Sequence, residues 1–292
     1  MRLSTVPASD ILARLPGLLS RIGATGPADL GEVALLDIEA RHPRGVGMVR
    51  VSNDDWIGLA YAVPNPDASS WTMEIAVDRD RVAAEMFAAT AAAHVARTGV
   101  DEITLWIHDP ELRIGGTEFA LERTLHRMTV SLPLDQVAQW PDGVSVEAFE
   151  AQDASEWLRV NNRAFRGHPE QSEWSSADLE RRLELAWFDP IGLRMIWLNE
   201  RLAAFNWTKI HPGVGEVVGE IHVVAVDPDF RGQGLGKAAT LEGLNYLHEV
   251  CGATRAILYV DDANAVGLRL YQGLGFIADE LHRAYRWNAS KH

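Results

Sequence analysis

Almost nothing in this sequence could crosslink it. Its 292 residues include one cysteine, Cys251, which cannot close an intrachain disulfide and has no companions for a Cys/His metal site. Neither an oxidising compartment nor a metal is indicated. Long apolar runs are also missing. No segment approaches the roughly twenty residues of a membrane helix, and the opening stretch, broken by Pro7, Asp10, Arg14 and Pro16, lacks the apolar core of a signal peptide. The expected location is the cytoplasm, with no membrane partner. Positive charge is scarce as well: 27 Lys and Arg stand against 41 Asp and Glu, a formal net charge of −14. That balance argues against nucleic acid, which needs a basic face, and suits a cationic small-molecule partner.

What the chain has is apolar mass. Apolar residues make up 47 % of it and ten are tryptophan, enough to bury a substantial core at a length that suits two ordinary domains. Helical spacing of Ile11, Leu12, Leu15, Leu18 and Leu19 predicts a helix over 9–22, and a second follows over 32–39. Strands are expected at 47–51, 56–63 and 71–77, a helix at 83–97 and a strand at 103–107. A break at Pro141-Asp142-Gly143 precedes a similar series: strand 144–149, helices 154–163 and 176–186, strands 194–198, 203–210 and 220–226, helix 237–250, strand 256–260, helix 263–272 and strand 284–287. MEIAVDRD at 73–80 aligns with HVVAVDPD at 222–229. The chain therefore reads as an α/β protein, an α+β mixed sheet in two tandem modules, 1–140 and 141–292, with chance similarity of two mixed sheets as the alternative.

The second copy carries a loop that the first lacks. After the apolar strand and Val226-Asp227-Pro228 come Arg231-Gly232-Gln233-Gly234-Leu235-Gly236 and then Lys237. Glycines let backbone N–H groups converge, and the following helix offers its unpaired N–H groups and positive dipole end to an anion. A dinucleotide fingerprint would need glycine at Lys237, and a Walker loop would need glycine at Arg231 and Ser or Thr at Ala238, so neither fits. An ordinary three-glycine turn is the bland alternative. In the first copy Arg81-Val82-Ala83-Ala84 takes the loop's place, so that copy is expected to have lost the phosphate grip.

An R-x-x-G-x-G loop after V-D-P resembles the acetyl-CoA pyrophosphate loop of the GNAT N-acetyltransferases, and N-A-V-G-L-R-L-Y-Q-G-L-G-F from Asn264 resembles their second cofactor segment, apart from Gly267 at an alanine position. The resemblance implies acetyl-CoA as cosubstrate, held by Val224, Ala225 and Val226, by Arg231, Gly232, Gln233, Gly234, Leu235, Gly236 and Lys237, and by Asn264, Ala265, Val266, Gly267, Leu268 and Arg269. Acetyl transfer needs a base for the acceptor ammonium and an acid for the departing thiolate. Glu220 is the candidate base, its pKa expected to rise toward neutrality by partial burial; an exposed strand-edge glutamate is the bland alternative and Glu216 the nearby competitor. Tyr271, two turns after Asn264 and so on nearly the same face, is the candidate acid, with a buried structural tyrosine as the alternative.

Three further stretches, N-N-R-A-F-R-G-H-P-E-Q from Asn161, A-W-F-D-P from Ala186 and W-T-K-I-H-P from Trp207, resemble the mycothiol synthases, two-module GNAT enzymes. That resemblance implies transfer of acetyl to the cysteinyl amine of cysteinyl-glucosaminyl-inositol. Acceptor contacts would come from Glu170, Lys209, Glu220 and Tyr259, with Glu32 from the first module. Another amine, such as an aminoglycoside or a protein N-terminus, and a non-catalytic acyl-CoA sensor stay open, and a monomer is expected.

Overall fold

The computed structural model describes residues 3–22, 30–65, 70–78, 80–100, 102–109, 111–115, 118–168, 171–212 and 216–288. The chain forms two compact units, one of residues 1–126 with 280–292, the other of residues 127–279. Each is a mixed sheet with helices on both faces.

The first unit contains β1 (Leu3–Val6), α1 (Ala8–Arg21), α2 (Glu32–Glu39), β2 (Val46–Ser52), β3 (Asp55–Pro64), β4 (Ser70–Val77), α3 (Arg81–Ala96) and β5 (Glu102–Ile107). Its strands lie in the order β1-β2-β3-β4-β5, and β12 (Ile277–Asn288) follows β5. The neighbours are antiparallel except β4 and β5, the parallel pair that α3 connects. Ile11, Leu15, Leu18 and Leu19 of α1 cover one face with Ala34 and Ile38 of α2, over Val49, Leu59 and Tyr61. Ala84, Phe87, Ala88, Ala91, Ala92 and Val95 of α3 cover the other. The small alanine stripe lets that helix approach the sheet closely. Strands sandwiched in this way are apolar on both faces, which is why β3 reads as one nearly unbroken hydrophobic run.

The second unit contains β7 (Val144–Ala148), α4 (Ala154–Ala164), α5 (Ser176–Leu183), β8 (Leu193–Leu198), β9 (Arg201–Pro212), β10 (Val217–Val226), α6 (Leu235–Glu249), β11 (Arg255–Asp261) and α7 (Ala265–Gly273), and it shares β6 (Phe119–Ser131). The order is β6-β11-β10-β9-β8-β7. Again a parallel pair, β10 with β11, is joined through a helix, α6. Leu241, Leu244 and Leu247 of α6 pack on Ile221, Ala256 and Leu258. On the opposite face Trp157 of α4 meets Phe205 and Trp207, with ring centroids 4.9 and 5.5 Å apart.

The expected boundary between residues 140 and 141 is not where the units part. Two long strands explain the difference. β6 begins in the first unit and ends in the second, while β12 does the reverse. Met128 and Val130 of β6 lie in the core of the second unit, and Tyr285 and Trp287 of β12 lie in that of the first. Neither sequential half therefore contains its own complete core. β6 was not expected from the sequence because Glu122, Arg123, His126 and Arg127 interrupt its apolar pattern. These polar residues are held laterally: Arg123 lies over the Trp106 ring at 5.5 Å, and Arg127 pairs with Asp279 at 2.9 Å.

Trp287 is 2 % exposed, so Trp287→Ala should destabilise the first unit by about 3–5 kcal/mol through lost burial and a residual cavity. Denaturant unfolding followed by circular dichroism measures this; a loss under about 1 kcal/mol would remove β12 from that unit's core.

Candidate active site

The glycine loop owes its shape to two left-handed residues. Gly232 and Gly234 have φ of 80° and 79°, a region costly for any residue with a Cβ. Gly234 is the residue before α6, so the helix starts at Leu235, two residues earlier than expected, and Gly236 and Lys237 fall in its first turn. The first helical bond runs from Ala238 N–H to Gly234 C=O at 3.2 Å. The backbone N–H groups of Leu235, Gly236 and Lys237 precede it, and neither a capping side chain nor an acidic residue occupies that turn. The preceding turn is locked by Asp227, fully buried, whose carboxylate receives Arg159 at 2.9 Å and Arg163 at 3.1 Å. An anion can meet this helix end without displacing a capping side chain.

The strand leading to the loop is paired on one side only over its second half. Parallel pairing of β10 with β11 runs from Val218↔Arg255 to Ile221↔Leu258. Beyond it, Val223, Val224, Ala225 and Val226 pair with β9, on the other side. The register shifts between Ile221 and Val223, a bulge at His222 of the kind that redirects side chains beside active sites. Val224, Ala225 and Val226 thus lie on an edge able to exchange backbone hydrogen bonds with an extended ligand.

Glu220 sits inside β10, not at its start, and is 6 % exposed. It stands opposite Lys209 of β9. His211 Nε2 lies 2.5 Å from its Oε2, and His222 Nδ1 lies 3.0 Å from its Oε1. Burial by itself raises the carboxyl pKa; hydrogen bonds from His211 and His222, with the charges of His222 and Lys209, outweigh it and hold the group well below the usual carboxylate range. The expected rise toward neutrality is corrected here: partial burial was weighed, the two imidazoles were not. Glu216, the competing carboxylate, is instead at the surface with Arg255 at 3.3 Å.

Aromatic side chains enclose the same cluster. The His222 ring meets Trp187 and Trp207 edge-on at centroid distances of 5.0 and 5.9 Å, and the Lys209 ammonium lies 4.7 Å from the centre of the Trp187 ring. The structure therefore brings together Glu220 and Lys209, both expected, with His211, His222 and Trp187, which were not singled out. Alternation along β9 and β10 could have found the histidines, since residues 209 and 211, like 220 and 222, share a face.

Asn264 caps α7, its Oδ1 accepting from Gly267 N–H at 2.9 Å. A Cβ on Gly267 would lie 2.7 Å from the Asn264 amide nitrogen, so glycine there makes room for the cap. Ala265, Val266, Leu268 and Arg269 form the first turns of α7. Tyr271 is in its last turn, edge-on to Phe276 at 5.9 Å, and burial pushes its hydroxyl pKa up to about 12, leaving it a proton donor at neutral pH. Tyr259 lies on β11 with 38 % of its surface exposed. Glu32 is the first residue of α2; its side chain and all of Glu170 lie outside the described residues.

The corresponding helix of the first unit differs at its tip. β4 pairs with β5 as far as Glu74↔Trp106, leaving Ile75, Ala76 and Val77 paired with β3 alone. At the start of α3, however, Asp80 Oδ1 accepts from the backbone N–H groups of Val82 and Ala83 at 3.1 and 3.2 Å. A carboxylate of the chain already occupies the place of an anion.

Comparison with known proteins accords with this geometry. Residues 152–276 match the acetyltransferase (GNAT) family model. A mycothiol acetyltransferase of Thermomonospora curvata is 38 % identical over 261 residues, covering 86 % of this chain and 84 % of its own. That of Thermobispora bispora is 36 % identical over 277 residues, covering 90 % and 91 %. The chain belongs to the mycothiol acetyltransferase family. Membership makes it an acyltransferase, and GNAT enzymes use acetyl-CoA. A tandem GNAT protein from the clavulanic acid biosynthesis pathway superposes with a TM-score of 0.73 at 14 % identity, covering 99 % of both chains. A GNAT protein of Sphaerobacter thermophilus gives 0.68 at 17 % over 98 % and 95 %. These two likenesses speak for the fold. Among the described residues no helix is long and apolar enough to cross a membrane, and none forms a group of three or more metal-ligating side chains.

Gly234→Ala should weaken acetyl-CoA binding about tenfold, because a Cβ in the left-handed region costs roughly 1–2 kcal/mol; isothermal titration calorimetry reads the shift in Kd. An unchanged Kd would exclude this turn from the cofactor site.

Proposed function

We propose that this chain transfers the acetyl group of acetyl-CoA to the cysteinyl amine of cysteinyl-glucosaminyl-inositol, the last step of mycothiol formation. The observation that carries the reading is the buried Glu220 carboxylate between two imidazoles, opposite Lys209, on the strand whose residues 223–226 leave β11. The names of the relatives support the acceptor.

Acetyl-CoA supplies an activated acetyl thioester. Arg231, Gly232, Gln233, Gly234, Leu235, Gly236 and Lys237 hold its diphosphate through the α6 N–H groups and two positive charges, while Val224, Ala225 and Val226 hydrogen-bond its extended arm and 264–269 flank it. Glu220 takes the proton of the acceptor ammonium through water, and Tyr271 donates one to the departing sulfur. Lys209 donates to acceptor hydroxyl or carbonyl oxygens, with Glu170 and Tyr259 as further acceptor contacts. The catalytic groups belong to the second unit. The first is a degenerate module, its α3 N-terminus closed by Asp80.

Purified protein offered acetyl-CoA with cysteinyl-glucosaminyl-inositol, a simple cysteine amide and an aminoglycoside should acetylate the first preferentially, as read by mass spectrometry. Transfer only to another amine would reject this acceptor, and cofactor binding without any transfer would reject the enzyme. Glu220→Gln should leave the Kd for acetyl-CoA unchanged and lower kcat by at least about 10²-fold. Titration should give one acetyl-CoA per chain, and two tight sites would overturn the assignment of Asp80.

A further inference from the structure

Acetylation of an ammonium releases a proton. The nitrogen gives up two protons as its bond to the acetyl carbon forms and the carbon–sulfur bond breaks; the thiolate recovers one, and the other must reach solvent. Glu220, in its proposed role as base, takes that second proton in a place where it is 6 % exposed. Its two histidines are not equivalent. His222, on Oε1, has a side chain 15 % exposed and wedged beside Trp187 and Trp207. His211, on Oε2, has a side chain 40 % exposed. Lys209, His211 and His222 are the charged or titratable groups that act on this carboxylate, and of the two histidines only His211 combines a bond to it with broad access to water.

We propose that His211 is the proton outlet of the active site, a positioning and proton-transfer residue acting through Glu220, while His222 fixes the other carboxylate oxygen. In the transfer His211 is the Nδ1–H tautomer, its Nε2 lone pair facing Glu220 Oε2; the Glu220 O–H bond breaks and an N–H bond forms at Nε2. The imidazolium then gives one proton to bulk water, and the half-exposed ring re-equilibrates between its tautomers through solvent. An imidazole suits this task because one ring nitrogen can take up a proton while the other releases one. Nothing leaves or enters the cycle except that proton. The inference rests on the reading of Glu220 as the base.

Steady-state acetylation by His211→Gln and His211→Ala, measured at low buffer concentration and then with increasing imidazole, tests it. His211→Gln keeps a hydrogen-bond donor for Glu220 but cannot carry a proton. Both variants should retain the KM for acetyl-CoA and lose kcat by about 10²-fold, the low end of the contribution of a general acid–base group. Imidazole should restore the rate in a saturable manner while leaving the unaltered enzyme unaffected. A His211→Gln rate equal to that of the unaltered enzyme at low buffer, or a slow rate that imidazole does not restore, would overturn the outlet. Glu220→Gln in the same series should stay slow at every imidazole concentration; if it runs at full rate, the base assignment fails instead.

Discussion

The constraint on which the site depends is the parting of β10 from β11 after Ile221. A central strand in a mixed sheet normally satisfies its backbone on both sides, and an unpaired stretch is costly where water is excluded. Here the pairing stops where a bulge places His222, and the strand runs on with β9 alone toward the glycine loop. The backbone groups so released are those that an extended acyl carrier can use, and the helix that follows presents three more N–H groups in its first turn. One departure from sheet regularity thus leaves the edge of β10 unpaired as it runs toward the loop.

The same topology gives opposite outcomes in the two units. Both have a parallel pair joined by a helix, and both strands lose their parallel neighbour near the end. In the first unit Asp80 turns its carboxylate onto the helix N–H groups, which satisfies the dipole internally. In the second, glycine occupies the capping position in a left-handed conformation and no side chain intervenes. An N-terminus that is not satisfied from within is available to a ligand. The two helices thus differ in which group completes a single turn.

Charge in the second unit is arranged to hold shape as well as to react. Asp227, buried without exposure, joins the loop to α4 through Arg159 and Arg163. Glu220 remains ionised despite burial because three cationic or hydrogen-bonding groups surround it. Its basicity is correspondingly low, so in the proposed role as base the neighbouring imidazoles bear on where its proton goes.

Local pattern determined much of this in the sequence. Helical spacing fixed α1 and α2 nearly to the residue, the apolar run before V-D-P fixed β10, and the glycine order excluded two phosphate loops and favoured a third, because such features depend on steric rules within a few residues. The tandem repeat was legible too. What the tertiary structure decided was everything requiring partners distant in sequence. β6 and β12 exchange between the units because their half-polar faces find partners only in the folded sheet. The pKa of Glu220 falls instead of rising because β9 brings His211 and Lys209 alongside it, and the helix at Asp80 closes on itself because its cap is a matter of side-chain direction. A sequence records which groups are present; whether a buried charge is raised or lowered depends on which of them fold against it.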